Sequence, residues 1–127
     1  MSLKFVDYSV EPMPDRLITS QPELTAFLTE ITEPIAGELI HDNGYMLMIG
    51  IDGSLAFVQY SPATHDVPYL IALAPEKVVA DFHDFIVTNE ATEIDGKFCL
   101  PLSVFKEIVS HFLQTGQQSP KVQWEEI

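Results

Sequence analysis

Two short turns with one strand between them set the architecture of the middle of this chain. GELIH is joined to YMLMIGID by Asp42-Asn43-Gly44, and YMLMIGID to LAFVQYS by Gly53-Ser54. Connections this short permit only antiparallel neighbours, because a parallel pair needs a crossover of about a dozen residues or more. In the middle strand Tyr45, Leu47, Ile49 and Ile51 alternate with Met46, Met48 and Gly50. Both of its faces are apolar, which reads as a central strand.

The flanking segments add strands and two helices. LKFVDYSV reads as a first strand, broken by VEPMPD. SQPELTAFLTEIT reads as a helix: Ser20 is the N-cap, Pro22 lies in the first turn, Glu23 completes a capping box, and Leu24, Phe27, Leu28 and Ile31 share a face. SPATHDV reads as a loop, PYLIALA and VVADFHDFIV as strands, and TNEATEIDGKFC as an irregular connection. LPLSVFKEIVSHFLQTG predicts a second helix with Leu102, Phe105, Ile108, Val109 and Phe112 on one face and Thr115-Gly116 as its stop. KVQWEEI closes the chain as a strand. The expected fold is α+β, one domain over residues 1–127: an antiparallel meander with two helices packed on it and a last strand carrying Trp124. Terminal residues fray unless tied down. With Val122, Trp124 and Glu126 on one side of that strand, the indole is expected inside, against the second helix. Glu126 then sits where core meets solvent, and Glu125, on the other side, is left for a partner.

Charge narrows the function. Nineteen acids against six bases give a net charge of −13. That disfavours nucleic acid, which needs Lys and Arg on its phosphates, and anionic membranes. It favours rapid association with a basic partner; a homodimer is a separate expectation that the charge does not address. The apolar content of 46% argues for a packed core. A single cysteine, Cys99, suits a reducing compartment. MSLKFVDYSV lacks the apolar run of a signal peptide, and no stretch reaches the roughly 20 apolar residues of a membrane span. The chain reads as cytoplasmic, or as a fragment that has lost a targeting segment.

No catalytic motif is visible: no GxSxG, P-loop, GxGxxG after a strand, or HExxH, and no cofactor signature. His41-Asp42, His65-Asp66 and His83-Asp84 pair an imidazole with a carboxylate, a combination that can ligate a metal. They fall in a turn, a loop and a strand, and neighbours along a strand face opposite ways. They read as solvated turn and edge residues. A small enzyme or metal site around His65, Asp66 and His83 is the alternative, and a generic acidic adaptor domain a third reading. Cys99, in the apolar stretch FCLPL, reads as a buried, inert thiol.

The final third carries a more specific signal. Thr92-Glu93-Ile94, Leu100-Pro101-Leu102, the helix end Phe112-Leu113-Gln114-Thr115-Gly116, Pro120, and Val122 to Glu126 resemble the closing segment of the Imm1 immunity proteins of bacterial polymorphic toxin systems. A looser match runs in order upstream, through Arg16 to Ser20 and Tyr45 to Gly50, then Asp52-Gly53. The chain departs from the family where Asp95-Gly96 follows the TEI run in place of a frequent proline, and where YSPATHDVPYLIA replaces a Gly- and Tyr-rich middle.

The resemblance implies a cytoplasmic antidote that binds and blocks a cognate toxin domain, often of the nucleic-acid deaminase superfamily, and catalyses nothing. A basic active-site cleft on such a toxin would suit the acidity of this chain. The expected contacts are Asp66, Asp84, Glu90, Glu93, Asp95 and Glu125, with Tyr60 and Tyr69 beside the SPATHDV loop as aromatic anchors. Trp124 and Glu126 are expected as structural family-motif positions. No metal and no cofactor are expected.

Overall fold

The structure, a computed structural model, describes residues 2–9 and 15–127. It begins with β1 (Leu3–Asp7), β2 (Asp15–Ile18) and α1 (Gln21–Glu30). The hairpin-linked strands follow: β3 (Ile35–His41), β4 (Tyr45–Asp52), β5 (Leu55–Pro62) and β6 (Leu70–Ala72). Then come β7 (Phe82–Val87), β8 (Glu90–Asp95), a 3-10 turn (Gly96–Phe98), β9 (Leu100–Pro101), α2 (Leu102–Thr115) and β10 (Trp124–Glu126). The α+β fold is the expected one, with two helices on a mostly antiparallel sheet and Trp124 on the last strand.

The main sheet has the order β10-β6-β5-β4-β3-β1-β2, with β9 also paired to β5. The short turns produce the consecutive ladder β3-β4-β5, in which Leu39, Leu47 and Tyr60 lie opposite one another. Gly53 turns the β4–β5 hairpin at φ 61°, a conformation open to glycine without strain. Strand β2 was read only as a lead into the helix. Most of the VEPMPD break expected after β1 lies outside the described residues.

Helix α1 starts as its sequence dictates. The Ser20 hydroxyl accepts from the Glu23 amide at 3.3 Å, and the Glu23 carboxylate reaches back to the Thr19 amide at 2.9 Å, one residue earlier than in a standard capping box. Leu24 and Phe27 of α1 and Phe105, Ile108, Val109, Phe112 and Leu113 of α2 are buried with Leu3, Phe5, Leu39, Leu47, Ile49 and Val58 of the sheet. Both helices therefore cover one face. Helix α2 stops at Gly116, which takes φ 69° and whose carbonyl accepts from Asn43 Nδ2 at 2.9 Å. That bond ties the helix end to the β3–β4 turn.

The opposite face carries an element that the sequence did not announce. TNEATEIDGKFC was expected to be irregular, but β7 and β8 form a two-stranded hairpin turned by Thr88 and Asn89. Both turn residues have positive φ, 53° and 63°. The local twist demanded by a two-residue hairpin is met here without glycine, which removes the usual written cue. Phe85 is fully buried against Phe57, ring centroids 5.1 Å apart at 75°. A Cβ at Gly50, the partner of Phe57 across the ladder, would collide with the Phe57 ring. Gly50 thus makes the space in which that ring lies, and Phe85 and Cys99 close over it.

Candidate partner-binding surface

The register of the hairpin sorts its side chains. His83 opposes Ile94, Phe85 opposes Thr92 and Val87 opposes Glu90; these pairs share the side that meets the sheet. His83 Nε2 lies 2.8 Å from Asp52 Oδ2 and pins the hairpin to the end of β4. The outer pairs are Phe82 with Asp95, Asp84 with Glu93, and Ile86 with Ala91, and all six residues are exposed.

That outer face is poorly suited to water in two ways. Phe82 remains 49% exposed and Ile86 39%, where a solvated strand face is usually polar. Asp84 and Glu93 stand directly opposite, a like-charge pairing that destabilises a hairpin. Asp95 accepts a hydrogen bond from the Lys97 amide at 3.0 Å and caps the 3-10 turn. Lys97 turns its ammonium to Glu125 at 3.4 Å and over the Phe98 ring at 5.0 Å. A groove of about 370 Å³ runs between the foot of the hairpin and the sheet edge, lined by Ile71, Asp81, Phe82, Glu93, Phe98 and Ile127 among others.

The structure therefore gathers Asp84, Glu93 and Asp95 on one face, with Glu125 engaged by Lys97 close by. Glu90 is exposed at the tip. Asp66 and Tyr69 belong to a different feature, the loop after β5. There Thr64 Oγ1 donates to Asp66 at 2.8 Å, the Tyr69 hydroxyl donates to the His65 carbonyl, and His65 Nε2 meets Glu38 Oε2 at 2.6 Å. Tyr60 is in the core, 9% exposed, stacked on Tyr45 at 5.1 Å and edge-on to Phe112 and Trp124. Its area is already used in packing, so little of it is left for an anchor.

Trp124 is half-buried; its indole N–H donates to the Ser119 carbonyl at 3.0 Å and its ring meets Tyr60. Glu126, on the same strand, is exposed. The three histidine-aspartate pairs do not assemble into one centre. His41 is buried at the end of α2, 3.3 Å from the Leu113 carbonyl, while His65 and His83 bond the separate carboxylates Glu38 and Asp52. Among the described residues no group of three or more His, Cys, Asp or Glu side chains is placed to hold a metal ion. Cys99 is buried, and burial pushes its thiol pKa up, away from the thiolate.

Sequence reasoning missed Glu38, which is buried and accepts from the Tyr8 hydroxyl as well as meeting His65. Burial first, then the bond to Glu38, raises the Tyr8 pKa far above that of a free phenol. It also missed Phe82 and Ile86 as exposed apolar groups, although the alternation in DFHDFIV already set them opposite Phe85.

The Imm1 immunity protein family model matches residues 14–126, from the start of β2 to the end of β10. The chain belongs to the Imm1 immunity protein family. No curated protein and no solved structure gives a significant match. As an Imm1 protein its role is immunity, and its counterpart is a cognate toxin. The Imm1 match takes in both helices and the β7–β8 hairpin. No helix among the described residues is long and apolar enough to cross a membrane.

Proposed function

We propose that this Imm1 protein acts in the cytoplasm as one domain over residues 1–127. It neutralises a toxin domain that works on nucleic acid, of the deaminase superfamily, by setting the outer face of the β7–β8 hairpin against that toxin's basic cleft. The observation that carries this reading is the opposed pair Asp84 and Glu93 on an exposed face. Two carboxylates held side by side, with Asp95 at the next outer position, present negative charge at a spacing that cationic phosphate-binding side chains can engage in place of phosphates. The net charge of −13 adds long-range attraction for such a partner. The protein contributes binding and no catalytic step.

Co-expression with the toxin domain encoded beside it, followed by pull-down and a rescue assay, tests the reading. The toxin is expected to co-purify and to lose its toxicity. Its association rate is expected to fall steeply with added salt, because a steered encounter is screened beyond a Debye length. A toxin that neither co-purifies nor loses toxicity overturns the immunity pairing, and salt-insensitive association overturns the electrostatic mode.

A further inference from the structure

The groove at the foot of the hairpin is apolar at its floor and acidic at its rim. Ile71 comes from β6 and Phe98 from the 3-10 turn, and Ile127 continues the edge strand β10, its amide donating to the Tyr69 carbonyl at 2.9 Å. Phe82 stands at the side with half its surface in water, and Ile127 is 57% exposed. Asp81 and Glu93 line the same groove, and the neighbouring cation, Lys97, is held by Glu125. A protein surface gains nothing by itself from exposed apolar rings beside uncompensated carboxylates; both are relieved together only by a partner carrying the complementary pair.

We infer that this groove receives an apolar side chain of the toxin flanked by lysine or arginine, with Phe82 as the anchoring residue. The inference rests on the immunity reading above and specifies the partner's contacting element. The apolar side chain fills the cleft between Phe82, Phe98 and Ile127, and the flanking cation meets Asp81 or Glu93. Charge complementarity selects the occupant: a second copy of this acidic chain would bring carboxylates to carboxylates, whereas a basic toxin surface neutralises them. Removing water from around Phe82 gives it the character of a binding hot spot, an aromatic in a desolvated pocket ringed by polar groups.

The test is a titration of the full chain against the purified toxin domain encoded beside it, using Phe82→Ser, Phe82→Leu and Leu17→Ser. Leu17 is an exposed apolar residue on β2, outside the groove. Phe82→Ser is expected to weaken binding on the order of 30-fold, the size of a hot-spot loss, with Phe82→Leu intermediate and Leu17→Ser unchanged. If Phe82→Ser also lowers the melting temperature, Asp81→Lys serves in its place and is expected to weaken binding about tenfold. Wild-type binding by Phe82→Ser, or by Asp81→Lys in its place, overturns the groove assignment and leaves the immunity reading standing. A wild-type chain that does not bind the toxin overturns both.

Discussion

Replacing Glu93 with lysine is expected to make the protein more stable and a poorer inhibitor. Asp84 and Glu93 are register partners across β7–β8, and directly opposed residues have Cβ atoms about 5 Å apart. Unit charges about 6 Å apart in water interact by about 0.7 kcal/mol, and screening at physiological ionic strength leaves roughly half of that. Turning this repulsion into attraction counts it twice, so Glu93→Lys should gain about 0.7 kcal/mol, or about 2–4 °C in melting temperature. Urea denaturation at physiological ionic strength measures this gain, which should grow at low salt and all but vanish in about 1 M salt, where the Debye length falls to roughly 3 Å. Glu76→Lys makes the same change of charge at an exposed loop position and should gain less, which separates the pair from the relief of net charge. Toxin association should slow in Glu93→Lys despite the better fold, so lost binding cannot be assigned to unfolding. Unchanged or lower stability at low salt would mean that the two carboxylates do not face each other, and the account of the outer face would fail.

Trp124→Ala should cost about 2–3 kcal/mol by urea denaturation, less than a fully buried tryptophan, because the indole is half-buried but loses its Ser119 bond and its Tyr60 contact; an unchanged transition would mark it as an exposed handle. Phe85→Ala should cost about 3–4 kcal/mol, and hydrogen exchange should show protection lost in β7 and β8 first, since Phe85 against Phe57 is what seats the hairpin. Equal loss of protection across the main sheet would contradict that. Gly116→Ala should cost about 2 kcal/mol in thermal unfolding, because its φ of 69° disfavours a side chain and an added Cβ would collide with Asn43. Tyr8 and Tyr60 have pKa values raised above the usual 10.0, chiefly by burial. Each therefore contributes stability that is present below pH 10 and lost as pH rises through the folded pKa. Ultraviolet titration should show a late-ionising tyrosine fraction, from Tyr8 and Tyr60, appearing as the fold opens; the absence of any late fraction would refute it.

Much of this protein could be read from local chemistry. The turns at Asp42-Asn43-Gly44 and Gly53-Ser54 leave β3, β4 and β5 no arrangement but an antiparallel ladder, and the capping signals around Ser20 and Gly116 bound the two helices. These features act over a few residues, so neighbours in sequence carry the whole cause. The closing segment from Thr92 to Glu126 also pointed to the family. The proposed partner surface was legible only as composition: acids were visible, but not which of them stand together.

What tertiary structure decided was long-range pairing. Thr88 and Asn89 turn a hairpin with no glycine to announce it, and β8 exists because Phe85 and Ile94 have Phe57 and Met48 to pack on, a site prepared by the missing side chain of Gly50. Tyr60, which flanks a loop in sequence, is drawn into the core by Tyr45, Phe112 and Trp124. Two of the three histidines that precede an aspartate found their carboxylates elsewhere, His65 at Glu38 and His83 at Asp52, while His41 Nδ1 lies 2.9 Å from Asp42 Oδ1. The sequence determined the β3–β4–β5 ladder, the two helices and the sign of the charge, because propensity, turn chemistry and ionisation are properties of residues and their near neighbours. Which carboxylates stand together depended on register across β7 and β8 and on which face of the sheet the helices left open, and both are settled only when distant segments pack.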